Sequence, residues 1–297
     1  MPLLGNSGSP RWHDGRFADY LALLEASGAT LVELPLHHGP HDERTARVHV
    51  LEADWDTVVE AYRARDIAVQ LHVSLDPRFA TERWHDAPDT LRAEYAPLLR
   101  LLAELAPEQE STALVLHGAA DPALTRAENE RATLGLLDWL ADRLAPLPRA
   151  EVALELTARK PHYPTAAARD RASVLHIVEQ LDAPHAGICW DLAHDLQNAA
   201  GESGWALVPD EAFLRRINHI HLHDLDRAAV AHYPLVLGGV PYPEQFDALA
   251  RLGPLPSITM EVRWRCAARL GDPWELLAES YRRVEDVLPR LGAAPTE

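Results

Sequence analysis

The chain has 297 residues, 47% of them hydrophobic, enough apolar mass for a large core without covalent staples. Its formal charge of −17 argues against a broad basic surface for nucleic acid, though not against a local basic patch. No run of about 18 apolar residues is present to span a membrane. The two cysteines, Cys189 and Cys266, are far apart, which excludes a CxxC thiolate zinc site and points to a reducing compartment. The opening MPLLGNSGSPRWHDG lacks a basic start followed by an apolar run, so the expected location is the cytoplasm.

Short β-rich apolar runs alternate with helical periodicity along the whole chain. A strand at 2–7 precedes a helix at 16–28, where Gly28 suits a C-cap. Strands at 30–36, 68–74, 113–118 and 152–157 precede helices at 55–66, 89–105, 125–144 and 166–181. Strands at 186–191, 219–224 and 257–262 precede helices at 210–217, 242–252 and 273–291. This alternation calls for a parallel sheet with right-handed crossovers. Eight such units in 297 residues predict a closed (β/α)8 TIM barrel forming one domain over 1–297. An open doubly wound sheet is the alternative, but no GxGxxG follows the first strand.

Barrel chemistry sits at the C-terminal ends of strands. There the sequence places His72, His117, Glu155, Asp191 with His194 three residues on, His221 with Asp224, and Glu261. In "INHIHLHDLD" strict alternation puts His219, His221 and His223 on one face. Such a mixed nitrogen and oxygen set suits a divalent ion: Mn2+, Mg2+, Co2+ or Zn2+. That ion can polarise a carbonyl, hold an enediolate or make hydroxide from water. The competing readings are structural. Arg159 and Arg263 are available counterions for Glu155 and Glu261, Asp191 can cap the following helix, and His194 can be a helix-surface residue.

The order E…DxxH…HxxD…E across the last four strands resembles the xylose isomerase-like TIM barrels, a superfamily that includes ketose 3-epimerases, inosose dehydratases and isomerases, hydroxypyruvate isomerases and endonuclease IV. The resemblance implies that Glu155 in "LELTA", Asp191 in "DLAH", His221 in "HLHD" and Glu261 in "TMEV" are metal ligands, with both glutamates as the acid/base pair. It further implies that His194 and Arg227 touch substrate oxygens. The endonuclease IV branch has further ligands at the places of His72, His117 and His232. Its Asp-x-His pair is broken here, because Val230 stands two residues before His232, and "HDLQNAAG" replaces its glycine-rich signature.

His219 is expected to orient a ligand from one layer deeper, and Asp224 to turn onto His221 or another ligand. Trp12, Trp84 and Trp264 are candidate platforms for a sugar face. The stretches 78–89 and "HYPLVLGG", with Gly238 and Gly239 as flexible points, read as lids. The expected function is isomerisation or epimerisation of a small sugar, keto-polyol or related hydroxy-carbonyl compound through a metal-held enediolate. The partner is then a small-molecule substrate, with homo-oligomers frequent in such barrels. The alternatives are a zinc phosphodiester hydrolase acting at abasic DNA, and a non-catalytic binding barrel.

Overall fold

In a computed structural model, eight parallel strands close on themselves in sequence order. The structure describes residues 2–7, 17–35, 55–73, 77–147, 149–181, 183–199 and 204–288. The strands are β1 (Leu4–Ser7), β2 (Leu31–Pro35), β3 (Ala68–His72), β4 (Thr112–His117), β5 (Ala150–Glu155), β6 (Ala186–Asp191), β7 (Ile217–Leu222) and β8 (Ser257–Met260). The main outer helices are α1 (Phe17–Ala26), α2 (Trp55–Arg63), α4 (Pro88–Leu105), α5 (Arg126–Leu144), α6 (Arg171–Leu181), α9 (Tyr242–Ala250) and α11 (Pro273–Glu285). Short helices follow strands β3, β6 and β8, namely α3 (Arg83–Asp86), α7 (Leu192–Ala199) and α10 (Trp264–Ala267), and α8 (Glu211–Leu214) leads into β7. No helix among the described residues is long and apolar enough to cross a membrane.

Local chemistry sets the element ends. Gly28 closes α1 at φ +64, a conformation costly for any residue with a Cβ. Thr125 and Glu128 form a reciprocal capping box on α5. β1 and β2 approach so closely that a Cβ on Gly5 would lie 2.1 Å from the Leu31 carbonyl oxygen. The region after β6 departs from expectation. The helix expected at 210–217 is only the short α8, and α7 begins directly after β6 because Asp191 Oδ1 accepts the His194 backbone N–H at 2.8 Å.

Strand register decides which side chains share the barrel interior. Glu33 pairs with Gln70, Pro35 with His72, His117 with Glu155, Asp191 with His221, and His219 with Ser257. The alternate residues, among them Val32, Leu34, Val69, Leu71, Leu114, Leu116 and Ile220, face outward into one large apolar layer beneath the helices. The interior is instead small and polar, with Ala113, Val115, Ala153 and Cys189 forming a separate apolar cluster. The outer layer therefore supplies the bulk of hydrophobic stabilisation, and the interior is left for chemistry.

Two lid expectations need correction. The loop carrying Gly238 and Gly239 is pinned. Asp224 accepts backbone N–H groups from Leu237, Gly238, Gly239 and Val240 at 2.7–3.1 Å, and from Leu225 at 3.0 Å. Asp224 thus does not turn onto His221 or another ligand; a carboxylate able to accept along several lone-pair directions satisfies the loop instead. In the 78–89 stretch, Trp84 packs 6.0 Å from the ring of Trp139, under the guanidinium of Arg92, and so holds the segment to α5. It is not a free sugar platform.

Candidate metal centre

The strand ends bring the sequence-predicted ligands together. Glu155, Asp191, His221 and Glu261 each offer one ligand atom, and these atoms all lie within 4.8 Å of one another. Three are fully buried, and the Glu261 side chain is 17% exposed, toward the barrel mouth. His221 Nδ1 sits 3.5 Å from Glu155 Oε2 and 3.6 Å from Glu261 Oε2. His221 Nδ1, Glu155 Oε1 and Glu261 Oε2 are sealed from solvent without a hydrogen bond. Buried polar atoms are normally satisfied, so orphaned donors converging on one point fit a cation. The arginine counterions do not take that role. Arg159 pairs with Asp170 at 3.4 Å, and Arg263 is exposed.

Asp191 serves two purposes at once. Oδ1 caps α7, while Oδ2 lies 3.0 Å from both His194 Nδ1 and His223 Nε2. His194 Nδ1 is also 3.4 Å from Glu155 Oε1, so its ring belongs to the centre and not to a helix surface. Burial opposes ionisation of Asp191, but the adjacent His194 and His223 rings outweigh it and hold the carboxyl well below its ordinary range. Glu155 behaves likewise: burial pushes up, and His117, His194 and His72 pull it well down.

His72 and His117 converge on the same carboxylate. The Nε2 atoms of both lie 3.0 Å from Glu155 Oε2, and the three residues form a second potential ligand group. His117 is also on the wall of a cleft of about 290 Å3 that includes Thr81, Thr157, Lys160 and Tyr163. His232 reaches the centre from the β7 to α9 loop, its Nδ1 3.1 Å from the Glu261 carbonyl oxygen and 3.5 Å from Oε2. Its ring lies 4.3 Å from that of His223 and 5.4 Å from that of His194. The His223 ring is oriented by the His232 backbone N–H, which donates to Nδ1 at 3.0 Å. That leaves the ring proton on Nε2, facing Asp191. His223 therefore steadies Asp191 rather than offering a lone pair.

Two substrate-contact expectations are not brought to the centre. Arg227 is exposed in the turn after Asp226, with no contact to the cluster among the described residues. Trp264 starts α10 and packs edge-on to Trp274 at 5.3 Å, where it anchors α11. Trp12 lies outside the described residues.

One participant escaped the sequence reading. Glu33, on the inward face of β2, is completely buried among His72, His219 and His221. Its signal was the one that marked Glu155 and Glu261, a lone acid inside an apolar strand, here "LVELP".

A family model described as xylose isomerase-like TIM barrel matches residues 21–286. No curated protein sequence matches the chain. Among solved structures, D-psicose 3-epimerase from Clostridium cellulolyticum H10, solved with D-tagatose, superposes with a TM-score of 0.69 at 15% identity, covering 98% of this chain and 99% of that one. The IOLI protein with a bound zinc atom gives 0.69 at 14% identity, over 99% and 100% of the two chains. The 3-keto-D-glucoside 4-epimerase YcjR from E. coli gives 0.67 at 14%, over 96% and 100%. At such identities the likeness speaks for the fold.

Proposed function

The chain belongs to the xylose isomerase-like TIM barrel family, and on that premise we propose that it is a divalent-metal-dependent isomerase or epimerase of a small sugar, keto-polyol or related hydroxy-carbonyl compound. The observation that carries this reading is the convergence of Glu155, Asp191, His221 and Glu261 at the mouth of the barrel. These four would hold Mn2+, Mg2+, Co2+ or Zn2+. When bound, the ion supplies an electrophile that makes a proton next to a carbonyl more acidic. Glu155 and Glu261 flank the same imidazole nitrogen, so each can reach a compound seated over it. Glu155, kept ionised by its histidines, takes the α-proton from one face. Glu261, partly open to the mouth and so in reach of solvent protons, delivers a proton to the other. His194 steadies a substrate oxygen, and the buried histidine wall excludes bulk water. The psicose 3-epimerase and YcjR superpositions support this reaction class by analogy of fold.

The test is solvent-proton exchange. Metal-loaded protein in D2O is offered a panel of ketoses and keto-polyols, and deuterium uptake at the carbon next to the carbonyl is followed by NMR. Uptake is expected, falling about 10²–10⁴-fold in Glu261→Gln. Absence of exchange with every compound overturns the proposal.

A second reading, a phosphodiester hydrolase with two or more zinc ions, is favoured by one observation: His72 and His117 form a second ligand group sharing Glu155. Val230 in place of an aspartate counts against a third ion. Nicking of abasic duplex DNA without any α-proton exchange would select this reading.

A further inference from the structure

Glu33 belongs neither to the expected ligands nor to the proton transfers, yet it is fully buried at the heart of the barrel. Its Oε2 accepts from His219 Nε2 and His221 Nε2, each at 3.0 Å, and its Oε1 lies 3.1 Å from His72 Nδ1. The direction of this network follows from counting hydrogens. Gln70 Nε2 donates to Ser257 Oγ at 3.1 Å, so the serine's single hydrogen is free for His219 Nδ1, 2.7 Å away. His219 then keeps its ring proton on Nε2 and donates it to Glu33. A carboxylate only accepts, so His221 must also present Nε2–H. In the neutral ring, the form that can bind an ion, the remaining nitrogen Nδ1 is the lone-pair donor, and that is the atom facing Glu155 and Glu261. The opposite tautomer would set an imidazole lone pair against a carboxylate oxygen 3.0 Å away in a water-free interior.

We propose that Glu33 is the positioning residue of the metal centre: it holds His221 in the tautomer that turns Nδ1 toward the ion, through a buried relay running Gln70, Ser257, His219, Glu33, His221. A carboxylate behind a ligating imidazole both fixes its orientation and raises its basicity. Here one carboxylate serves His221 while also touching His72, so both ligand groups that share Glu155 are braced from the same point. This rests on the reading of Glu155, Asp191, His221 and Glu261 as the metal ligands.

The test uses zinc-loaded protein labelled with 15N-histidine, wild type beside Glu33→Gln and Ser257→Ala. Long-range 1H–15N spectra, with His221 assigned from the signals lost in His221→Asn, should show its proton on Nε2 in the wild type. Chelator competition should show zinc affinity about 10–100-fold weaker in Glu33→Gln, at unchanged circular dichroism. If Glu33→Gln does not fold, Ser257→Ala, which leaves every ligand and Glu33 in place, should shift the His219 tautomer balance and weaken zinc by a smaller factor. A proton on Nδ1 of His221 in the wild type overturns the proposal. So does Glu33→Gln holding zinc as tightly as the wild type. A wild type that binds no divalent ion overturns the functional reading instead, and the His221 tautomer, read at a pH high enough to leave the ring neutral, still decides whether Glu33 orients it.

Discussion

Replacing Asp224 by asparagine should loosen the loop that brings His232 to the candidate metal centre. Asp224 is 1% exposed and accepts five backbone N–H groups: three at Oδ1 (Leu225, Gly239, Val240) and two at Oδ2 (Leu237, Gly238). Asparagine keeps one oxygen, and its amide cannot accept. The best rotamer therefore puts the amide toward Leu237 and Gly238 and forfeits two bonds. Hydrogen bonds to a charged acceptor contribute about 1.5–3 kcal/mol each, so the ceiling is about 3–6 kcal/mol. Leu237 and Gly238 are exposed, and water can take up part of their N–H bonding. A local cost of ~2–4 kcal/mol remains, which is roughly a 30- to 1,000-fold loss of protection. Native-state hydrogen exchange read by mass spectrometry should show this acceleration in the peptide covering 237–240, with the strands of the barrel unchanged. Equal exchange in wild type and variant would refute the reasoning, because the loop would then owe nothing to the carboxylate.

Asp195→Ala should destabilise the whole barrel. Asp195 is buried and accepts from Arg171 at 2.6–3.0 Å and from Trp190 Nε1 at 2.9 Å. Removing it strands a mostly buried guanidinium and an indole N–H, at about 3–5 kcal/mol, seen as a lower midpoint in urea. Metal uptake should strengthen with pH. Burial opposes charge on His221, but Glu33 and Glu155 lift it to about 9; burial likewise opposes charge on His194, which Asp191 and Glu155 lift to about 10. An ion must displace the His221 proton, so affinity should rise about tenfold per pH unit between the unperturbed value near 6.5 and 9, measurable by titration calorimetry. In chelator-treated protein the sign reverses. Histidines with raised folded values stabilise fully below about pH 6.5, and that contribution is lost as pH climbs through 9 to 10, so the melting temperature should fall there. His72→Ala/His117→Ala should retain about one equivalent of metal, held by the four remaining ligands, with any second equivalent lost; loss of all metal would contradict the separation of the two groups.

Much of this protein was legible in its sequence because the signals are local. Period-2 and period-3.6 patterning reads directly as strand and helix, and eight alternations leave the closed barrel as the economical solution. An acid or histidine ending an apolar strand is a local signal, and the residues it marked, Glu155, Asp191, His221 and Glu261 with His72 and His117, are the ones the barrel brings together; His194 came from the DxxH spacing and His232 from the family resemblance. Tertiary structure alone decided the partners. Glu33 meets His219 and His221 across 186 and 188 residues of chain, a pairing that only barrel closure creates. Asp224 spends its lone pairs on a loop 13–16 residues later, and Trp84 and Trp264 spend theirs rings on neighbouring tryptophans. The residue types announce what chemistry is available. Which nitrogen holds the proton, and which carboxylate holds the ring, depends on directions in space that a one-dimensional pattern does not carry.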